Sequence, residues 1–244
     1  MISRSFPYQC IERKQCTQDI SILTLLPTTS HKISFVSGQY IEVLLPNGIW
    51  LPLSIGNAPR EDSSLEFHLR HYNKGDLAQV LLDALEYKST LELRGPKGDS
   101  VFNSVTEPKI IFVAGGTGFA PIGAILESLL ENTHHTLFLY WGIRRPEDAY
   151  QMKKLIKWDQ IFPHFHYQLV LSEPENFPSW KGPTGLVHEF VAQHNQQDFN
   201  DCTVFASGPF GMIKASYELF MDCGLDEKQF ISDIKLAKEP IAND

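Results

Sequence analysis

Hydrophobic and polar positions follow two different periods along the chain. Over the first hundred residues the apolar positions fall in short runs, at 20–26, 40–45, 49–55, 65–72 and 90–94. Gly38, Pro46-Asn47-Gly48, Pro59 and Gly95 punctuate them. Leu65, Phe67 and Leu69 alternate with Glu66, His68 and Arg70, the period of two that a half-buried strand needs. Many short strands at this spacing predict a small antiparallel barrel. One helix interrupts them. Leu77, Val80, Leu81, Ala84 and Leu85 share a helical face, and Asp76 is placed to cap it.

The second half alternates strand and helix. Apolar runs at 110–114, 136–141, 166–171 and 203–207 read as buried parallel strands. Helices are expected over 121–130, 147–156, 187–194 and 210–222. Pro121 and Pro146 suit first-turn positions, and Gly224 suits a helix stop. Alternation of this kind predicts a parallel sheet with helices on both faces. The expected organisation is two domains: an antiparallel β-barrel over 1–103, then an α/β domain over 104–244. The link from Gly95-Pro96-Lys97-Gly98 to Pro108 falls between them. No internal repeat or low-complexity tract interrupts either half.

Composition narrows the function classes. The 244 residues are 43% hydrophobic and 20% charged, enough for packed cores. Lys and Arg number 21 against 29 Asp and Glu, a net charge of -8, which argues against a nucleic-acid partner. Residues 110–126 carry no charge, near the lower length of a membrane span. Gly115, Gly116, Gly118 and Pro121 sit at their centre, so strand, turn and helix is the better reading and no membrane association is expected. Cys10, Cys16, Cys202 and Cys223 form neither a C-x-x-C pair nor a plant-type cluster motif. With no apolar leader in the first residues, a cytoplasmic protein with reduced thiols is expected.

Candidate chemistry lies at the strand ends. Gly115-Gly116-Thr117-Gly118 follows a strand and opens a helix, where free amides and the dipole suit a pyrophosphate. It is not the G-x-G-x-x-G fingerprint, and a tight turn without a ligand reads equally from the local pattern. Small residues recur at later strand ends, Trp141-Gly142 and Ser207-Gly208-Pro209-Phe210. In open parallel sheets ligands gather at these ends.

Taken together, these residues resemble the ferredoxin–NADP reductase superfamily, and within it the bacterial NAD(P)H–flavin reductases of the Fre and LuxG type. The matching segments run in order: Leu51-Pro52-Leu53-Ser54, Leu65 to Arg70, Gly95 to Gly98, Gly115 to Pro121, Tyr140 to Gly142, Trp180 to Gly185 and Ser207 to Phe210. The resemblance implies a flavin-binding barrel and a nicotinamide-nucleotide domain with the flavin ring between them. It implies that Ser54 meets flavin N5 or O4, that Pro52 and Leu53 line the ring, and that His68, Leu69 and Arg70 form a second flavin-contacting strand. Read alone, His68 and Arg70 would sit on a solvated strand face. Gly115, Gly116, Thr117, Gly118 and Pro121 would hold the nucleotide. Gly142 and Arg144, with Arg145, would reach the adenosine ribose, although the two arginines read equally well as a solvated loop. Gly208, Pro209 and Phe210 would border the nicotinamide. Trp180 and the Met212–Met221 positions read as packing.

Two departures from the family bear on the flavin. Leu51 stands where the family has a phosphate-binding arginine. The phosphate-binding hydroxyl turn reads Gly75-Asp76-Leu77-Ala78, with a carboxylate instead. The expected function is therefore an NAD(P)H:flavin oxidoreductase that passes hydride to riboflavin, FMN or FAD as a diffusible substrate or weakly bound cofactor. NADH and NADPH stay open, as does a flavin-dependent monooxygenase or other electron acceptor as partner. The alternatives are an FAD-retaining electron-transfer reductase serving an external iron–sulfur protein or oxygenase, and a non-catalytic flavin or nucleotide sensor.

Overall fold

The computed structural model describes residues 5–72, 75–85, 89–103, 105–195 and 199–234. Six strands make the first sheet: β1 (Phe6–Gln15), β2 (Ile20–Pro27), β3 (Tyr40–Leu44), β4 (Trp50–Ser54), β5 (Leu65–Arg70) and β6 (Thr90–Lys97). They pair antiparallel in the order β4-β3-β6-β1-β2-β5. The end strands meet just beyond β4, where the Gly56 N–H donates to the Glu66 carbonyl at 2.7 Å, so the sheet curls into a barrel. Tyr8, Leu23, Ile41, Phe67 and Leu93 fill it. The buried Tyr8 hydroxyl accepts the Ile33 N–H at 3.0 Å, so no polar atom is stranded there. Helix α1 (Leu77–Ala84) closes one end by burying Leu81 and Leu82. The Asp76 carboxylate caps it, accepting from the amides of Ala78 at 2.7 Å and Gln79 at 3.4 Å.

The second sheet is parallel. It contains β7 (Lys109–Gly115), β8 (Thr136–Ile143), β9 (Phe165–Leu171), β10 (Cys202–Ser207) and β11 (Phe230–Ser232), in the order β11-β10-β7-β8-β9. Helices α2 (Phe119–Leu129) and α3 (Met152–Ile161) belong to the core that includes Phe112, Trp141 and Phe205 on one face. Helices α4 (Val187–Asn195) and α5 (Phe210–Asp222) cover the other, where Phe220 of α5 joins the core of Val113 and Val204. The uncharged stretch at 110–126 is strand, turn and helix. Among the described residues no helix is long and apolar enough to cross a membrane.

Three elements differ from the sequence reading. Strand β1 escaped it because only its first half alternates. Tyr8 and Cys10 point inward, whereas residues from Ile11 to Gln15 are exposed and mostly polar. The helix expected over 147–156 begins only at Met152. Pro146–Asp148 instead forms a 3-10 turn that buries the Asp148 side chain, and Ala149 leaves helical geometry. Strand β11 has three residues, too short to carry a period.

The cap on α1 gives a stability test. Asp76→Ala is expected to lower unfolding free energy by about 1 kcal/mol, since a helix of two turns depends on its first-turn acceptor. Asp76→Ser should recover most of that loss, read from denaturant midpoints of the three proteins.

Candidate active site

The carboxyl ends of β7, β8 and β10 face β4 and β5 of the barrel across a cleft of about 820 Å3. The barrel wall carries Pro52, Leu53 and Ser54 from β4 and His68, Leu69 and Arg70 from β5. The opposite wall carries Gly115, Gly116, Thr117, Gly118 and Pro121, then Gly142 and Arg144, then Gly208 and Pro209. Of the residues expected at the site, Phe210 and Arg145 are outside the lining. Phe210 opens α5 with its side chain turned to solvent, 57% exposed, and Gly211 and Met212 line the cleft beside it. Met212 therefore does more than pack on the sheet. Trp180 packs, its indole N–H donating to the Pro183 carbonyl at 3.0 Å.

The glycines in the turn after β7 have different duties. A Cβ on Gly118 would lie 2.2 Å from the Ser207 carbonyl oxygen, and one on Gly115 would lie 2.6 Å from the Met212 sulfur. Both positions let β7 press against the β10–α5 turn. Gly116 has φ +54°, and a Cβ there would find only the Arg70 guanidinium carbon, 4.0 Å away. Its open side belongs to the cleft. Trp141 fixes this turn from beneath, its indole N–H donating to the Gly116 carbonyl at 2.9 Å while its ring stacks on Phe119 at 4.5 Å.

Charged and polar groups tie the two walls together. Asp148, fully buried, lies 2.7 Å from Arg70 Nη2 on the barrel and 3.0 Å from Arg145 Nη2 on its own domain. Arg145 also reaches Asp19, in the turn between β1 and β2, at 2.7 Å. Neither arginine matches a solvated position: Arg70 is a buried member of this cluster, and Arg145 spans the interface outside the cleft. His68 is equally buried. Its Nδ1 lies 2.8 Å from the Tyr150 hydroxyl and its Nε2 2.9 Å from Glu66. Burial pushes the Tyr150 phenol well up, so it stays protonated. The acceptor-only Glu66 carboxylate takes a hydrogen bond from Nε2, and the phenol hydroxyl can donate to Nδ1 or accept from it.

Several polar groups of the cleft walls are uncommitted. The Ser54 and Thr117 hydroxyls, on opposite walls, make no hydrogen bond among the described residues. Arg70 Nε and Nη2 are buried without an aligned acceptor, despite the charge contact with Asp148. His188 Nδ1, beside Val187 in the cleft wall, is buried and unpartnered. Sequence reasoning missed Asp233. Its carboxylate accepts the Ser207 hydroxyl at 2.6 Å where β11 ends beside β10, and burial pushes its pKa up. The signal for it is the parallel register of β11 on β10, which no local pattern displays.

Two family models match in tandem. Residues 7–102 match the oxidoreductase FAD-binding domain, and residues 112–218 match the oxidoreductase NAD-binding domain. The chain belongs to the ferredoxin–NADP reductase superfamily. Similar superfamily proteins include a CDP-6-deoxy-L-threo-D-glycero-4-hexulose-3-dehydrase reductase of Yersinia pestis, 34% identical over 88% of this chain and 64% of its own length. Terephthalate 1,2-dioxygenase reductase component 1 of Comamonas is 28% identical, again over 88% and 64%. The chain thus spans less than two thirds of these two relatives. A protein of Aliivibrio fischeri described as "probable flavin reductase" is 29% identical over 83% of this chain and 86% of its own.

For a superfamily member the cleft chemistry suits a flat ring system with polar edges. Hydroxyls, unpaired N–H groups and open backbone meet between apolar walls, as small-molecule sites require. Leu51 and Asp76, the two departures noted in the sequence, both have internal roles. Leu51 packs on the barrel core, and the donors that open α1 are already taken by Asp76.

The clamp between the walls has a pH signature. Burial raises the Asp19 carboxyl, but hydrogen bonds from Thr17 and Arg145 and the charges of Arg70 and Arg145 outweigh it, and the net shift is downward. A carboxyl lowered on folding contributes stability above its unfolded value of about 3.9, and loses it as pH falls through the lower folded value. The stability gap between the wild type and Asp19→Asn is therefore expected to be constant above about pH 5 and to close in more acidic solution. Denaturation midpoints measured across that range read it.

Proposed function

We propose that the protein is an NAD(P)H:flavin oxidoreductase whose two substrates meet in this cleft. The observation that carries the reading is that one continuous cleft joins Ser54 on the barrel to the Gly115–Gly118 turn and Gly208-Pro209 on the parallel sheet. A bound nicotinamide would supply the hydride and a bound flavin would accept it. The residues of the chain hold and orient; no acid–base triad is required. Gly116 and Thr117 would receive the nucleotide along open backbone and a free hydroxyl. Ser54 would hydrogen-bond the flavin N5 edge, its hydroxyl able to accept or donate. Pro52 and Leu53 would support the ring, with Leu69 and Arg70 beside them, and His68 would brace β5 against the second domain. Pro121 and Gly142 would keep the nucleotide wall close. Functional halves dividing at residues 103 and 104, and a cytoplasmic setting rich in reduced nucleotide, fit this reading.

The flavin is read as an exchanging substrate. Each charge-assisted phosphate contact is worth roughly 1.5–3 kcal/mol, or about one to two decades of affinity. Leu51 provides none, and the α1 terminus already holds an anion. A second reading, an FAD-retaining reductase component serving a separate iron–sulfur protein or oxygenase, is supported by the likeness to the Yersinia and Comamonas reductases. Gel filtration separates the two. Flavin left behind by the protein, with steady NAD(P)H oxidation restored by added flavin, supports exchange; stoichiometric FAD carried through the column supports the second reading.

Two substitutions test the residue roles. Ser54→Ala should slow flavin reduction about tenfold or more while leaving nucleotide binding unchanged; an unaltered rate would remove Ser54 from the site. Leu51→Arg should tighten FMN by about tenfold and riboflavin hardly at all. Equal gains for both flavins would contradict the phosphate argument.

A further inference from the structure

The two arginines after β8 differ in what they can offer a nucleotide. In a parallel sheet the residues following the second strand meet the adenosine ribose, and arginine there accommodates a 2′-phosphate. Arg144 lines the cleft at this place, but Arg145 turns away from it. Its guanidinium lies 2.7 Å from Asp19, 3.0 Å from Asp148 and 3.8 Å from Glu147. Arg144 itself has Glu173 at 4.0 Å, and Arg70 is held by Asp148. Arg145 is thus committed to carboxylates outside the cleft lining, and Arg144 and Arg70 each have a carboxylate beside them.

The other groups there are neutral. Ser172 lines the cleft, its hydroxyl donating to the Ile143 carbonyl at 3.2 Å and keeping its lone pairs available. The unpartnered Nδ1 of His188 belongs to an imidazole that burial pushes below its ordinary 6.5, so it carries no charge near pH 7. A hydroxyl and a neutral imidazole suit a ribose diol. A 2′-phosphate, with about −1.5 to −2 charge at pH 7, needs fixed cations, and the arginines nearby already have carboxylate partners.

We propose that the nucleotide taken is NADH rather than NADPH, with Asp19, Asp148 and Glu173 setting the preference by engaging the arginines that would otherwise receive a 2′-phosphate. This rests on the reading of the cleft as a nicotinamide-nucleotide site. Asp19 is not itself in the cleft lining, though it lies 3.9 Å from Arg70 Nε. It acts from the barrel, across the domain interface, as a positioning residue for Arg145.

Calorimetric titration with NAD+ and with NADP+ tests the preference without relying on turnover, and kcat/KM for NADH and NADPH with riboflavin is measured beside it. The wild type is expected to bind NAD+ about tenfold or more tightly than NADP+. Glu173→Gln and Asp19→Asn should each narrow that ratio by about two- to fivefold, and the double variant by more. Glu173 is exposed, so its variant reports independently of any weakening of the interface. A wild type that binds NADP+ as tightly as NAD+, or a ratio unmoved in both single variants, overturns the proposal. Selective NAD+ binding without oxidation of NADH would support it while removing the reductase reading; binding of neither nucleotide would remove both.

Discussion

The buried carboxylate of Asp148 is the point on which the cleft depends. It collects Arg70 from the barrel and Arg145 from its own domain, and Arg145 passes the connection back to Asp19 on the barrel. Two carboxylates and two guanidinium groups form a neutral unit at the interface. Such a unit adds little net stability, because desolvation offsets most of the attraction. It fixes orientation, since each arginine fork accepts few arrangements of its acceptors. Other hydrogen bonds repeat the constraint elsewhere. The Ala58 amide donates to Glu127 at 2.9 Å, Ser37 and Ser128 share a hydrogen bond of 2.6 Å, and His68 meets Tyr150. The two walls therefore face each other at one separation, and the strand ends that carry Ser54, Thr117 and Gly208 converge.

The same economy governs ligand charge. The barrel offers a flavin ring an apolar wall and a hydroxyl, but it spends the amides at the α1 terminus on Asp76 and places Leu51 into its own core. The second domain offers a nucleotide open backbone at Gly116, yet it commits Arg145 to the interface. In both halves an anion-binding opportunity is used internally. The cleft is left with apolar walls, hydroxyls and open backbone.

Much of this was legible in the chain. The period of two in Leu65 to Arg70 and the apolar runs of β7, β8 and β10 place the strands whose ends carry the site. The glycine turn and Leu51-Pro52-Leu53-Ser54 likewise locate its two walls. What escaped has a physical reason. Strand β1 hides because its outer half is solvated. Helix α3 starts late because Asp148 is drawn inward by Arg145, three residues before it, and by Arg70, which lies on the barrel and far away in sequence. Asp19 and Arg145 lie 126 residues apart, and Asp233 meets Ser207 across 26, so neither pair leaves a local pattern. His68 and Arg70 read as solvated for the same reason: their partners belong to the other domain.

The central claim is that a fixed interface, centred on Asp148, presents the nicotinamide to the flavin. Anaerobic single-turnover reduction of riboflavin by NADH in Asp148→Asn tests it most directly, with circular dichroism to verify that both sheets remain folded. Asparagine keeps the shape and removes the charge that gathers the two arginines. The account expects flavin reduction at saturating substrates to slow by about tenfold or more, as misplaced reactants do. Reduction at the wild-type rate in the folded variant would contradict it.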